Sequence, residues 1–323
     1  MPSSTNWRQS ARLARRPLQA RKQQSRRLWP FRVDTPTVMT AVIVRVMVLA
    51  SAAARVLGVE AEARVRFGEE DKAEGSWAGR RLLFLDDKPA FELSFWCGTC
   101  QFLFKRQYGA NETTSLAEAE DRLAEGVDGL DEEVVSKFAS LLPVGEYLLL
   151  LLRVEPRLVR PVGPGDYFAE EQIATWGLES FWGLPAYPRT PYYRTFETRV
   201  DEEAHLFEFI VPMVPPSWND KARVGEHRAR LQTSQRPTAV AVATLDVCAP
   251  AVELGEDYFA HWGLTHFLLD GHHKLQAAAE SGSALRLLSL VSVDASLASG
   301  EQVARIPDLR ARARQGRPRP SKP

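Results

Sequence analysis

The chain has 323 residues, of which 45% are hydrophobic and 25% are charged, and its formal net charge is zero. This apolar content is typical of a globular protein with one large or two modest domains, so the composition excludes disorder of the whole chain. Three cysteines are too few for a disulfide framework, which favours a reducing, cytoplasmic location.

The basic residues are concentrated at the two ends of the chain. Residues 1–36 carry nine Arg or Lys and one acid, and residues 305–323 carry seven and one. The body between them holds 25 basic and 39 acidic residues. Because neutralisation of phosphates by Lys and Arg supplies most nonspecific nucleic-acid affinity, this acidic body disfavours nucleic-acid binding except through the tails.

Composition also predicts how the chain is divided. Residues 1–60 are expected to be a basic, disordered extension, and residues 301–323 a disordered basic tail. Between them we expect an α+β region over residues 61–155, which contains a Cys-x-x-Cys hairpin, and a second domain with long aromatic loops over residues 156–300.

Near the start of the chain, Ser25-Arg26-Arg27 precedes an apolar run over residues 38–54, an order that resembles a twin-arginine export signal. Arg45 interrupts that run, and the run is too short to span a bilayer. Export is therefore the minority interpretation, and no membrane partner is expected. An alternative is that Met39 is the true first residue of the protein.

Apolar periodicity predicts a series of helices and strands along the body. In chain order these are a hairpin over residues 81–104, helices over 115–126 and 131–142, a strand over 147–154, ordered loops over 156–191, a strand over 205–214, a polar helix over 218–231 and a strand over 238–247. The last strand carries Ala239, Ala241 and Ala243 on one side, where small residues allow close packing. The predicted fold class is α/β (α+β) with a mixed sheet.

The C-terminal half contains a strand, helix, strand unit with a glycine where the strand enters the helix. Residues 265–269 form a short apolar strand, Asp270-Gly271 is a turn signal, residues 273–281 favour a helix, and residues 285–293 return as a strand. Gly282 ends the helix.

The residues of this turn, Asp270 to Lys274, suit a bound phosphate. A helix N-terminus offers unpaired amides and a partial positive charge, and Gly271 has no Cβ to keep a phosphate away from the backbone. Lys274, His272 and His273 would add cationic or hydrogen-bonding contacts. Asp270 could cap the helix or orient one imidazole. On composition alone, a purely structural Asp-Gly turn with a polar histidine pair is an equal alternative.

The run Asp270-Gly271-His272-His273-Lys274, after an apolar strand and before an alanine-rich helix, resembles the nucleotide-binding signature of the ParB and sulfiredoxin superfamily. It is most similar to the Asp-Gly-His-His-Arg form of ADP-dependent free serine kinases. The resemblance covers residues 236–295. It implies a ParB/sulfiredoxin-like domain in the C-terminal half, in which Gly271, His272, His273 and Lys274 contact nucleotide phosphates.

Two departures from that superfamily change the expected chemistry. Sulfiredoxin has its reactive cysteine at the position of His272, so sulfinic-acid repair by that route is excluded. Lys274 replaces the usual arginine, which keeps the positive charge but loses the bidentate fork. The helix-turn-helix domain of ParB has no counterpart after Val293.

The expected ligand is a nucleotide, with magnesium as an open option, or another small phosphorylated molecule. In an enzyme, His272, His273 and Lys274 would stabilise the transferred phosphoryl group. A non-catalytic module, in which the nucleotide changes a protein-binding surface, and a structural protein without a ligand are the alternatives. A carboxylate near His273 in a deep cleft would favour the enzyme, and a shallow, open site would favour the module.

Other motifs are weaker. Cys97 and Cys100 form a Cys-x-x-Cys turn for which a structural role is preferred. Half of a metal site ranks second, because no second ligand pair exists in the sequence. Redox chemistry ranks third, because residues 101–108 are too short and aromatic for the long helix that follows the cysteines in thioredoxin. No metal site is predicted.

The segment from Pro156 to Pro191 is rich in aromatic residues, which we expect to wedge loops onto the core. As the minority interpretation, Arg189 or Arg194 faces the phosphate site. Three glutamates in this segment are weak candidates for a general base: Glu170, Glu171 and Glu179.

Overall fold

Strands with continuous apolar residues form the centre of the computed structural model. It describes residues 48–60, 62–70, 80–93, 104–114, 116–177, 189–233, 236–251, 259–312 and 314. All of these residues belong to one compact unit, Val44–Pro323.

The described strands make two sheets. Their bounds are β1 (Val48–Leu57), β2 (Val65–Glu70), β3 (Arg80–Leu85), β4 (Lys88–Leu93), β5 (Phe104–Arg106), β6 (Gly145–Val154), β7 (Arg157–Val159), β8 (Tyr192–Arg199), β9 (Ala204–Pro212), β10 (Thr238–Cys248), β11 (Ala260–Asp270) and β12 (Leu285–Ser292). The large sheet has the order β1-β6-β12-β10-β11-β9-β8-β7, and the small sheet has the order β2-β3-β4-β5.

The large sheet is mixed. β10 is parallel to β12 and antiparallel to β11, and β11 is parallel to β9, whereas the remaining pairs of neighbouring strands are antiparallel. The small sheet is antiparallel throughout. The predicted α/β class with a mixed sheet is therefore confirmed.

The helices cover the large sheet on both sides. They are α1 (Ala117–Glu125), α2 (Glu132–Ala139), α3 (Glu171–Trp176), α4 (Lys221–Leu231), α5 (His272–Ser281), α6 (Gly300–Ala304) and α7 (Ile306–Ala311), with a 3-10 turn at Pro216–Trp218. One apolar cluster joins the sheet to α1, α2 and the small sheet, and a second joins it to α4, α5, α6 and α7. The sheet is thus buried on both faces, as the five leucines of β6 predicted.

The prediction of a disordered extension through residue 60 is wrong for residues 48–57. This segment is β1, which pairs antiparallel with β6, and Ala50 and Ala52 pack against the core. The basic composition of residues 1–36 does not extend into it, since Arg55 is its only charge. Residues 1–47 lie outside the described part.

The prediction of a disordered tail from residue 301 is wrong as far as residue 311. Val303, Ile306 and Leu309 recur at three-residue spacing, and all three side chains are buried against the large sheet. This short apolar stripe is hidden in the sequence by the arginines around it.

The predicted division at residue 155 is also wrong. β1 and β6, which precede that residue, lie in the same sheet as β7 to β12, and β6 pairs along its length with β12. Continuous hydrogen bonding across the boundary makes residues 61–155 and 156–300 parts of one unit. The aromatic loop region contributes two short elements, β7 and α3.

No helix in the described ranges is long and apolar enough to cross a membrane.

Candidate functional site

The N-terminus of α5 is formed by a glycine in the left-handed conformation. Gly271 is the N-cap residue, with φ 96° and ψ 24°, and no side chain caps the helix. The first helical bond runs from the Leu275 amide to the Gly271 carbonyl at 2.8 Å. The amides of residues 272–274 precede that bond, so the helix itself does not use them, and they carry the positive end of its dipole.

Close packing against β10 requires glycine at this turn. A Cβ on Gly271 would lie 2.7 Å from the Cβ of Ala239, closer than packed carbon atoms approach. The small residue at Ala239 therefore allows the start of α5 to sit directly on β10, as the alanines of this strand suggested.

Lys274 holds the turn together through an internal ion pair. Its Nζ lies 3.1 Å from Asp270 Oδ1 and donates to the Thr238 carbonyl at 3.1 Å, and both side chains of the ion pair are buried. Asp270 thus neither caps α5 nor binds an imidazole, the two roles suggested by the sequence. Much of the Lys274 charge is already balanced within the protein.

The two histidines of the motif accept hydrogen bonds from the backbone. His272 Nε2 accepts from the Met213 amide at 3.1 Å, and His273 Nε2 accepts from the Asp220 amide at 3.1 Å. Because a ring nitrogen that accepts a hydrogen bond through its lone pair carries no hydrogen, each neutral ring has its hydrogen on Nδ1. His273 also ties α5 to the start of α4, since Asp220 is the N-cap residue of α4.

A cavity of about 390 Å³ lies where α1, α4 and the start of α5 meet. Its lining includes all five residues of the predicted motif, from Asp270 to Lys274. The other lining residues are Thr113, Glu120, Asp121, Ala124, Arg223, Glu226, His227 and Arg230. The structure therefore brings the motif to the wall of a cleft with further charged groups around it.

His227 is a cavity residue that sequence reasoning missed. Its side chain is 9% exposed, and its Nδ1 has no hydrogen-bond partner in the described part of the chain. The pKa of His227 is lowered to about 4, first by burial and then by the nearby charges of Lys274, Arg230, His273 and Arg223. The ring thus lies in a positive environment, where an anion would be stabilised.

The cavity carries charges of both signs. Arg223 Nη2 lies 2.8 Å from Glu120 Oε1, an exposed ion pair that connects α4 with α1 at the edge of the cavity. Glu226, Asp121 and Arg230 are exposed and form no ion pair among the described residues. In the same part of the chain, no group of three or more His, Cys, Asp or Glu is placed to hold a metal.

The buried histidines predict how stability depends on pH. Burial lowers the pKa of both His272 and His227 to about 4, from 6.5 for the free side chain. Below 6.5 the unfolded chain therefore binds protons that the folded chain excludes, so stability is lost as the pH falls toward 4. For fully buried His272 the loss amounts to about 3 kcal/mol at most.

Urea unfolding across that pH range measures this effect. His227→Leu should reduce the slope of unfolding free energy against pH, because one of the two rings that resist protonation is removed. A slope that is flat in the unchanged protein would contradict the burial of both imidazoles as neutral groups.

The remaining candidates that the structure describes do not line the cavity. Arg194 forms two ion pairs, from Nη1 to Glu171 Oε1 at 2.7 Å and from Nη2 to Glu197 Oε2 at 2.6 Å. Glu170 accepts a hydrogen bond from the Gly165 amide. Arg189 is exposed and lies outside the cavity lining. Cys97, Cys100 and Glu179 fall outside the described residues.

Comparison of the chain with protein-family models, with curated proteins and with solved structures gives no match. The fold thus defines the class of the protein, a mixed-sheet α/β protein with a charged cavity at a helix N-terminus. Kinship with the ParB and sulfiredoxin superfamily stays a prediction from the motif.

Proposed function

We propose that this protein binds a nucleotide or another small phosphorylated ligand, with the phosphate at the N-terminus of α5. The observation that carries the proposal is the position of His227, a buried imidazole without a partner at Nδ1, beside the first turn of α5. His227 and the residues of the first turn of α5 line the same cavity, and helix N-termini favour anions.

The phosphate would be held mainly by the backbone amides of residues 272–274 and by the charges around His227. Arg223 and Arg230 line the same cavity and would add guanidinium groups that can bind a phosphate. Lys274 contributes through its charge rather than a free ammonium group, because Asp270 and the Thr238 carbonyl already occupy it. A bound dianion would raise the pKa of His227 and turn its ring into a charged donor.

Superfamily kinship and a cytoplasmic location are parts of the same proposal. The motif supports the kinship, and the small number of cysteines, three in 323 residues, supports a reducing compartment.

Phosphoryl transfer is the second candidate function. It is favoured by the carboxylates of Glu120, Asp121 and Glu226, which line the cavity together with the proposed phosphate site and could accept a proton from an attacking hydroxyl. Incubation with each nucleotide and magnesium, followed by phosphorus NMR, separates transfer from binding. Binding without turnover would support the non-catalytic module.

His227→Leu should greatly reduce stabilisation by phosphate while leaving the fold at least as stable as before. Leucine fills a similar space and removes a buried polar atom that has no partner, so the unfolding free energy should stay equal or rise by about 1 kcal/mol. Thermal melting with inorganic phosphate, ATP, ADP, CTP and GTP, each with and without magnesium, measures both effects.

Arg228→Met is the matched control, since Arg228 is exposed on the same helix and does not line the cavity. It should keep the full response to phosphate. If the unchanged protein melts cooperatively and none of the compounds raises its melting temperature, the proposal is wrong and the turn is structural.

A further inference from the structure

We infer that Arg106 and Thr190 form a second anion site, which binds the carboxylate of a small organic acid between the small sheet and the large sheet. Neither residue lines the cavity at the N-terminus of α5. The inference therefore goes beyond the proposed function and does not depend on it.

Arg106 carries a positive charge that no described residue balances. Its Nη1 is buried and has no hydrogen-bond partner in the described part of the chain, and the side chain forms no ion pair there. Burial lowers the pKa of Arg106 to about 10. A buried charge opposes folding unless an opposite charge balances it, so this guanidinium suits a bound anion. The residue as a whole is partly exposed, which leaves a small ligand access to it.

Thr190 supplies a second polar group without a partner. The residue is 3% exposed, and its Oγ1 makes no hydrogen bond to any described residue. Most buried polar atoms in proteins have a hydrogen-bond partner, so an exception of this kind points to a ligand. A threonine hydroxyl can donate to the oxygen of a carboxylate.

The packing of two aromatic rings brings the surroundings of Arg106 and Thr190 together. Phe104 in β5 and Tyr192 in β8 are both buried, and their ring centroids are 5.2 Å apart. Arg106 follows Phe104 by two residues, so its side chain leaves β5 on the same face. Thr190 precedes Tyr192 by two residues and is buried just before β8 begins.

His272 lies at the end of the sheets to which both residues belong. Because β8 and β9 are antiparallel, residues just before β8 lie at the same end as residues just after β9, among them Met213. The Met213 amide donates to His272 Nε2 at 3.1 Å. Burial is the main cause of the low pKa of His272, and the charge of Arg106 also lowers it, so this charge lies nearby. The two groups without a partner are therefore found in the same region.

The shape and charge of the two groups favour a carboxylate. A guanidinium is planar and binds a carboxylate through two parallel hydrogen bonds, and the Thr190 hydroxyl can donate a third. One positive charge balances a carboxylate monoanion, whereas a phosphate dianion would keep an excess charge in a partly buried place. The neighbouring cation Lys105 leaves β5 on the opposite face.

Thermal melting and calorimetric titration of the full chain with sodium acetate test the inference. Sodium chloride controls for ionic strength, acetamide is the uncharged analogue, and inorganic phosphate is the competing anion. We expect acetate to bind saturably and to raise the melting temperature, whereas acetamide and chloride should have no saturable effect. Arg106→Met should abolish the response to acetate. Without acetate it should be at least as stable as the unchanged chain, because a charge without a partner is removed.

Thr190→Val keeps the shape of the side chain and should weaken acetate binding about tenfold, the loss of one hydrogen bond to a charged group. Lys105→Met is the matched control on the opposite face of β5 and should keep the full response to acetate.

The inference is wrong if acetate has no saturable effect, or if Arg106→Met keeps the response to acetate. A marked loss of stability in Arg106→Met without acetate would also overturn it, because the arginine would then have a structural partner. If Arg106→Met loses the binding of phosphate rather than of acetate, the assignment to a carboxylate is wrong. The proposed phosphate site depends on His227 and is tested separately by His227→Leu, so failure of acetate binding leaves the proposed function intact.

Discussion

Replacing Arg310 with Met is expected to destabilise the fold by about 3–5 kcal/mol, because it leaves a buried carboxylate without its counter-charge. Arg310 Nη1 lies 3.1 Å from Glu208 Oε2, and both side chains are fully buried. Arg310 also donates to the Arg153 carbonyl and stacks over the ring of Phe196. Its guanidinium therefore joins α7 to three strands of the large sheet.

Glu208 is ionised in this network. Burial raises the pKa of Glu208, but the Arg310 charge and the hydrogen bond from His266 outweigh that effect, so the pKa lies below its usual value. His266 Nε2 lies 3.1 Å from Glu208 Oε1, and its Nδ1 lies 2.8 Å from Ser289 Oγ. The ring is fully buried and extends past the small Ala243 of β10. This serine, histidine and glutamate set has no solvent access, so its role is structural.

Urea unfolding of three variants measures the effect. Arg312→Met changes an exposed arginine two residues further along and should cost less than about 1 kcal/mol. The double variant Arg310→Met, Glu208→Gln should be more stable than Arg310→Met alone, because no uncompensated charge remains. If Arg310→Met has no more effect than Arg312→Met, α7 does not depend on the buried ion pair.

Gly271→Ala is expected to lower stability by about 2–5 kcal/mol and to abolish the response to phosphate. The positive φ costs a residue with a Cβ about 1–2 kcal/mol, and the clash with Ala239 adds about 1–3 kcal/mol of overpacking. Relief of the clash would move the first turn of α5 away from β10. The three amides that are proposed to bind the phosphate would move with it.

Gly282→Ala provides a matched control at the other end of the same helix. Gly282 also has a positive φ, 61°, but a Cβ there would meet nothing within 4 Å. This variant should lose only about 1–2 kcal/mol, the cost of the left-handed conformation, and should keep the full response to phosphate. Equal losses in the two variants, measured by urea unfolding, would show that packing against Ala239 is unimportant.

Local patterns predicted most of the core elements. The strand over residues 238–247 and the helix over residues 273–281 match β10 and α5 to within one residue at each end. Both have long apolar stripes and clear end signals, which do not depend on distant contacts. Outside this core, β8 was not predicted, because its aromatic residues follow a proline-rich segment that favours loops.

The hydrogen-bond partners of the motif residues were not predicted, because they depend on tertiary contacts. The partners of Lys274, His272 and His273 come from residues 36 to 59 positions away or from within the motif, and no spacing rule selects among them. His227 did carry a signal, since Val224, His227 and Leu231 lie on one helical face and all three are buried. The sequence feature that indicates the burial of His227 is therefore its place on the apolar face of a polar helix.

The proposed phosphate site at the first turn of α5, beside His227, can be examined by titrating the isotope-labelled chain with inorganic phosphate and recording nitrogen-15 NMR spectra. We expect saturable shifts of the amides of His272, His273 and Lys274, with the His227 ring nitrogens moving toward the values of a protonated imidazole. Saturable shifts confined to other residues, or no shift at any residue, would contradict it.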